Sequence, residues 1–293
     1  MLVAPTNHGM NTRLISCCNP VEKEVQKLSD NMKPLLQTQQ SQERQKVLDW
    51  LAPGYYQSQH ADIQRHLDHD SGKTFTEHEV FKAWSRGSND VKILFCPGLP
   101  GAGKTSMASI AIHRLLKMRE EQRSAVAFLY FNYNLRPEQT LMHMHRTILR
   151  QLVETFPSIP DEIAQHHRAN RDPSLLEIFD MLSSVIENHN PVFIVIDALD
   201  ECSPESLSEV LDAVQRLQNL GARFMLTSRF NTSIEGRFRH VDKCFSLEIL
   251  AADKDMEAYI ARNFDFTIFY QIPDELSEIE RFKQVVIRAA KGM

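Results

Sequence analysis

The 293-residue sequence predicts an α/β fold: a five-stranded, mainly parallel sheet flanked by helices, preceded by an N-terminal helical region and followed by the start of a helical lid. Three observations predict it. Short apolar runs alternate with longer stretches of helical periodicity, the pattern of strand–helix–strand units with parallel strands. The run Val192-Phe193-Ile194-Val195-Ile196 is uninterruptedly apolar and mostly β-branched, as a strand buried on both faces must be. A glycine-rich turn, Gly98 to Gly103, lies between one such strand and one such helix.

Ahead of the core, Val21, Val25, Leu28, Met32 and Leu35 recur at spacings of four and three, which is helical. Pro34 is expected to kink or split that helix, and a Gln-rich stretch leads into a second helical run, Glu43 to Leu51, stopped by Pro53-Gly54. With a turn at Gly72 and a helix over Glu77–Trp84, residues 1–90 read as a helical adaptor region. The core is expected over 91–250, with strands at Val91–Cys96, Val126–Phe131, Val192–Ile196, Arg223–Thr227 and Cys244–Leu250. Helices are expected between them at Lys104–Met118, Pro137–Phe156, Ser174–Asn188 and Ser206–Leu220. Helical periodicity returns at Asp255–Asn263 and Ser277–Ala290, so 251–293 reads as the start of a lid.

Composition bounds the function classes. A net charge of -5 carries no basic excess, so nucleic acid is not an expected partner. Five cysteines, an odd number without paired metal-ligand spacing, suit a reducing, cytoplasmic setting. No stretch approaches the roughly 18 consecutive apolar residues of a membrane span. The twelve histidines lack an i, i+4 pair with a carboxylate, so no metal other than Mg²⁺ is expected.

Gly98-Leu99-Pro100-Gly101-Ala102-Gly103-Lys104-Thr105 satisfies G-x4-G-K-[ST] in the context that gives the pattern meaning, after a strand and before a helix. Glycines let the backbone wrap phosphate with its N–H groups turned inward, and the helix starting near Lys104 adds its positive end. Gly98 through Ser106 are therefore the candidate nucleotide-contacting residues. Lys104 is expected on the β- and γ-phosphates and the Thr105 hydroxyl on Mg²⁺. Asp197, closing the apolar strand at its C-terminal edge, is the expected second anchor for that ion.

Two further acids follow, Asp200 and Glu201. Hydrolysis needs a carboxylate near the γ-phosphate to orient or deprotonate water, and either acid suits; Asp200 is the better candidate for metal and water positioning, Glu201 for the base. The alternative is that both simply begin the next segment, since acids favour helix N-termini. Arg229 ends the strand-like Phe224–Ser228 on the same sheet edge, where it could sense the γ-phosphate or instead be held in a salt bridge.

Cys96 to Thr105, with Phe193 to Cys202 downstream, resembles the NACHT domains of fungal NOD-like receptors, signal-transduction P-loop NTPases of the STAND class, in their nephrocystin-like subgroup. The resemblance extends to Val47–Leu51, Phe81–Trp84, Phe224–Arg229 and Asp255–Ile260, and spans roughly Val47 to Met293. It implies a molecular switch in which triphosphate binding and slow hydrolysis alternate closed and open, oligomerising states. It further implies a nucleotide-dependent self-oligomer; ATP or GTP with Mg²⁺ is the ligand expected from the phosphate site, and protein partners are expected through the N-terminal helices of Val21–Leu51. Arg229 matches that class's sensor arginine. The chain stops where the family's helical lid continues, so a truncated or partial chain is expected. No Asn-Lys-x-Asp guanine-reading sequence is found, which disfavours a small Ras-like GTPase and leaves the base open. The rival reading is a non-hydrolysing interaction module that nucleotide merely stabilises.

Overall fold

The computed structural model describes residues 9–67, 72–189, 191–250, 256–257, 260, 264–265 and 274–291. Contacts divide the chain into two units, Met1–Val47 and Leu48–Met293. The first is built on helix α1, Gly9–Leu51. This helix runs without interruption through Pro34, where a break was expected. Proline removes one backbone donor, but the flanking Gln, Glu, Lys and Arg residues are strong helix formers. The Thr38 hydroxyl donates to the Pro34 carbonyl at 2.8 Å, binding the turn that follows the proline.

In the second unit the strands are β1 (Ile93–Pro97), β2 (Ala125–Tyr130), β3 (Val192–Asp197), β4 (Ala222–Ser228) and β5 (Cys244–Ser246). All pair parallel, in the order β2-β3-β4-β1-β5. β1 to β4 are buried along their whole length, which suits the apolar runs of β1, β2 and Val192–Ile196, while β4 also buries Arg223, Thr227 and Ser228. β5 is shorter than the expected Cys244–Leu250. Past Ser246 the chain still follows β1, with the Leu247 and Ile249 amides donating to the Phe95 and Pro97 carbonyls at 2.8 Å each.

Helix α5 (Lys104–Gln122) lies on one face of the sheet, where Ala108, Ala111, Ile112 and Leu115 join Leu94, Cys96, Val126, Phe128, Phe193 and Met225 in one core. Short helices preceding β1 close that core: α2 (Tyr55–Arg65), α3 (Lys73–Thr76) and α4 (Glu79–Ser85), which contribute Tyr56, Phe75, Phe81 and Trp84. The polar sequence of α2 gave no signal for it. Helices α6 (Leu141–Val153), α7 (Asp161–Arg168) and α8 (Leu175–Glu187) lie between β2 and β3 in sequence. α9 (Pro204–Asn219) packs on β4, and α10 (Thr232–Phe238) precedes β5. The last helix, α11, spans Glu275–Lys291. The helix expected at Asp255–Asn263 falls mostly outside the described residues.

Two buried polar side chains on α6 fasten it to its neighbours, and the first closes the outer strand. Gln151 accepts from the Phe128 amide at 3.0 Å and donates to the Phe128 carbonyl at 2.8 Å, so a side chain replaces a further strand at the edge of β2. Arg150, 3% exposed, donates to the Leu48 carbonyl at 3.0 Å and to Asp49 and Glu154 at 2.8 and 3.0 Å. Among the described residues, no helix is long and apolar enough to cross a membrane.

His145 on α6 is 3% exposed and neither ring nitrogen has a partner. Burial, with a smaller contribution from the Arg216 charge, lowers its pKa to about 4. The unfolded chain takes up a proton at this histidine near pH 6.5 while the native chain does not. Stability is therefore unaffected by this group above about pH 7 and falls as pH drops from 6.5 toward 4, by on the order of 3 kcal/mol. Urea unfolding at pH 7.5 and pH 5 should show His145→Phe losing less stability than the unmodified protein over that interval.

Candidate functional site

The site is built where parallel strands end. Strands β1, β3 and β4 deliver their C-terminal residues to one edge of the sheet, and β4 lies between the other two. The loop Gly98–Gly103 therefore faces Asp197 across the end of β4, with Thr227 and Ser228 between them.

The glycines of the loop have distinct reasons. Gly101 and Gly103 hold φ of +78° and +87°, in the left-handed region where a side chain is strained. A Cβ on either would meet nothing within 4 Å, so the loop's requirement there is conformational. At Gly98 a Cβ would lie 2.7 Å from the Ile249 carbonyl oxygen, so the segment after β5 presses directly on the loop's entrance. Gly103 starts α5 with no side-chain cap, leaving N–H groups of its first turn, near Lys104, Thr105 and Ser106, as donors for an anion.

Lys104 donates to the carbonyls of Gly98 and Leu99 at 3.0 and 2.8 Å, curling over its own loop. Burial lowers its pKa, opposed by the charges of Asp200, Asp197 and Glu201. Asp197 is 2% exposed and accepts from the Thr105 hydroxyl at 2.7 Å and from the Thr227 hydroxyl at 2.5 Å. Burial raises its pKa, and those two hydrogen bonds and Lys104 pull it back. Thr227 also accepts from the Ala198 amide at 2.9 Å, tying together the ends of β3 and β4.

After Asp197 the backbone turns sharply. Ala198 sits at φ +56°, and Leu199–Glu201 form one turn of 3₁₀ helix. Asp200 accepts from the Arg229 amide at 2.9 Å and lies 3.4 Å from its Nε. Glu201 is 3.7 Å from the Arg229 guanidinium and accepts from the Tyr133 amide at 3.0 Å. The structure thus brings Lys104, Thr105 and Asp197 together as one group and Asp200, Glu201 and Arg229 as another. In this state Arg229 bridges the two acids. Leu99, Pro100 and Ala102 contribute backbone to the loop, whose Ala102 amide donates to the Leu99 carbonyl at 3.2 Å.

Sequence reasoning missed Thr227, Tyr133 and Arg136. The signal for Thr227 was a hydroxyl directly after the apolar run Phe224–Leu226, at a strand position that is buried. Tyr133 and Arg136 gave none, because their role depends on β2 lying beside β3.

Among the described residues no group of three or more His, Cys, Asp or Glu side chains could hold a metal ion. The Thr105 hydroxyl and Asp197 carboxylate fit a different chemistry: two hard oxygens in contact, one of them a buried anion. Mg²⁺ takes few protein oxygens and completes its shell from phosphate and water. The donor set therefore fits that ion beside a polyphosphate.

These features define an α/β protein with the P-loop NTPase fold. The chain belongs to the nephrocystin 3 N-terminal family, whose model matches residues 70–229, more than half of the chain. A search of curated proteins found no match. Among solved structures the chain is similar to the ORC1 protein of Aeropyrum pernix in complex with DNA, at 16% identity and TM-score 0.44, covering 65% of this chain and 48% of that one. It is similar to Drosophila ORC bound to DNA, at 17% identity and TM-score 0.40, covering 74% and 50%. A third is AMPPCP-bound DnaA from Aquifex aeolicus, at 12% identity and TM-score 0.37, covering 73% and 61%. The chain thus spans about half the length of the ORC chains it matches.

Asp197→Asn separates the two demands on this carboxylate. Without ligand, removing a buried charge should leave the melting temperature unchanged or raise it, by up to about 2 kcal/mol of stability. The rise in melting temperature on adding Mg²⁺ and triphosphate should shrink. Differential scanning fluorimetry reads both, and an Asp197→Asn protein that keeps the full ligand-induced rise contradicts the assignment.

Proposed function

We propose that this chain binds a nucleoside triphosphate, ATP or GTP, with Mg²⁺ and acts as a signal-transduction switch of the kind the fungal NOD-like receptors use. The reading is supported above all by one arrangement: Lys104 and Thr105 at the start of α5 beside the buried Asp197 carboxylate, with Thr105 bonded to Asp197 at 2.7 Å. In the proposed complex the backbone of Gly98 to Ser106 wraps the phosphates. The Lys104 ammonium exchanges two neutral carbonyl acceptors for anionic β- and γ-phosphate oxygens, where the donor and the acceptor are both charged. Thr105 and Asp197 hold Mg²⁺, which supplies charge neutralisation on the phosphates when bound.

Asp200 and Glu201 act on water: Glu201 accepts its proton and Asp200 helps to position it. Arg229 turns from these acids to the γ-phosphate, so its position reports which nucleotide is present. Turnover is slow and sets the lifetime of a state. Residues 1–90 serve as a helical adaptor, 91–250 as the NTPase core and 251–293 as the start of a lid. The α1 residues Val25, Leu28, Met32 and Leu35 are 54 to 70% exposed and form the stripe through which a protein partner is recruited in the cytoplasm. The triphosphate state also self-associates, nucleic acid is not a partner, and the chain does not span a membrane.

One observation favours a second reading, a nucleotide-stabilised interaction module without hydrolysis: in this state both acids are occupied by Arg229. Titration with labelled ATP and GTP tests the shared part. Lys104→Ala should weaken saturable uptake by roughly tenfold or more, and absence of uptake by the unmodified protein defeats both readings. Single-turnover hydrolysis separates them. Glu201→Gln should slow phosphate release by about 10²-fold or more, whereas no release from the unmodified protein selects the module.

A further inference from the structure

The acid turn is held at both ends. At its start Ala198 has a left-handed backbone, which is strained for a non-glycine residue and persists only where its surroundings fix it. The Thr227 hydroxyl fixes that end by accepting the Ala198 amide at 2.9 Å. At the other end the fixing group comes from a different strand. The chain leaving β2 makes one 3₁₀ turn, Tyr133–Leu135, with the Asn132 side chain capping it through the Asn134 amide at 3.0 Å. Gln139 closes this loop on itself, accepting from the Asn132 amide at 2.9 Å and donating to the Tyr130 carbonyl at 3.2 Å.

From this closed loop two groups reach the acid turn. The Tyr133 amide donates to the Glu201 carboxylate at 3.0 Å. The Arg136 guanidinium donates through Nε to the Glu201 carbonyl at 2.7 Å and through Nη2 to the Asp200 carbonyl at 3.4 Å. It lies 4.1 Å above the Tyr133 ring, a cation–π contact that fixes its plane. We propose that Arg136 is a positioning residue for the hydrolytic acids: from the loop after β2, and stacked on Tyr133, it binds the main chain of Asp200 and Glu201 and sets where the Glu201 carboxylate stands. This inference rests on the reading of Glu201 as the group that acts on water.

The division of labour follows from the chemistry. Arg136 binds carbonyls, so it fixes the backbone and leaves the carboxylate its acceptor capacity. Arg229 binds the carboxylates themselves, from the end of β4. Withdrawing Arg229 therefore frees Glu201 without letting the turn relax, because the Arg136 contacts do not involve the side chain that is released. A lysine at 136 could reach one of the two carbonyls but would present no planar fork to both.

The test is a double-mutant cycle on single-turnover hydrolysis in the full chain. Arg136→Ala should slow phosphate release by about ten- to a hundredfold, the cost of misplacing a reacting group. The dissociation constant for labelled triphosphate should change by less than about threefold, because no phosphate contact is lost. Arg136→Lys should recover part of the loss. In a Glu201→Gln background Arg136→Ala should add less than about threefold, since its closer contact serves the carboxylate already removed and only the longer one, to Asp200, is left. A full further loss in that background overturns the proposal, as does an unchanged rate or a fall in nucleotide affinity matching the fall in rate. If Glu201→Gln alone is without effect, or the unmodified protein releases no phosphate, the reading of Glu201 is what fails, and the inference fails with it.

Discussion

A carboxylate buried at the tip of β3 is the constraint around which the candidate site is arranged. Asp197 is 2% exposed, and burial alone would push it toward its protonated form. Hydroxyls from two separate segments, Thr105 at the start of α5 and Thr227 at the end of β4, hold it as an acceptor. Removing any one of the three leaves a buried polar group unpaired, which costs about 1–3 kcal/mol. The parallel sheet order makes the arrangement possible, because β4 between β1 and β3 brings all three residues to one edge.

Around that constraint the polar groups form two sets with different partners. Lys104 is satisfied by carbonyls of its own loop, an arrangement an anion displaces readily because a phosphate offers a charged acceptor. Asp200, Glu201 and Arg229 satisfy one another instead, and the loop after β2 grips the backbone beneath them. In the proposed function the first set serves binding and the second response. Both are anchored to strand ends, so their spacing is set by the sheet and not by the loops alone.

Much of this was legible in the sequence for physical reasons. A parallel strand buried on both faces is mostly apolar, so Val192–Ile196 and the other three long strands stood out with boundaries within two residues. The glycines of Gly98–Gly103 announced a loop able to wrap phosphate, and the lysine and threonine after them fixed where the helix starts. Legibility failed where local chemistry and tertiary context disagree. Pro34 reads as a break, yet α1 continues because good helix formers surround a single lost donor. The polar α2 carries little periodicity and is helical because Tyr56 reaches the core. Arg136 and Tyr133 were invisible because neighbours across a sheet are separated by more than sixty residues in the chain. Arg229 was read correctly as a residue of the strand end, with the phosphate and the salt bridge both open; in this state it makes the salt bridge.

The account stands or falls on whether Thr105 and Asp197 share one ion beside a polyphosphate bound over Lys104. Crystals grown with a non-hydrolysable triphosphate and Mn²⁺ in place of Mg²⁺ would settle it through the anomalous signal of the metal. The account predicts a peak within coordination distance of the Thr105 hydroxyl, beside Asp197, with Lys104 released from the Gly98 and Leu99 carbonyls onto phosphate. A triphosphate bound elsewhere, or manganese absent from that pair while nucleotide is present, would contradict it.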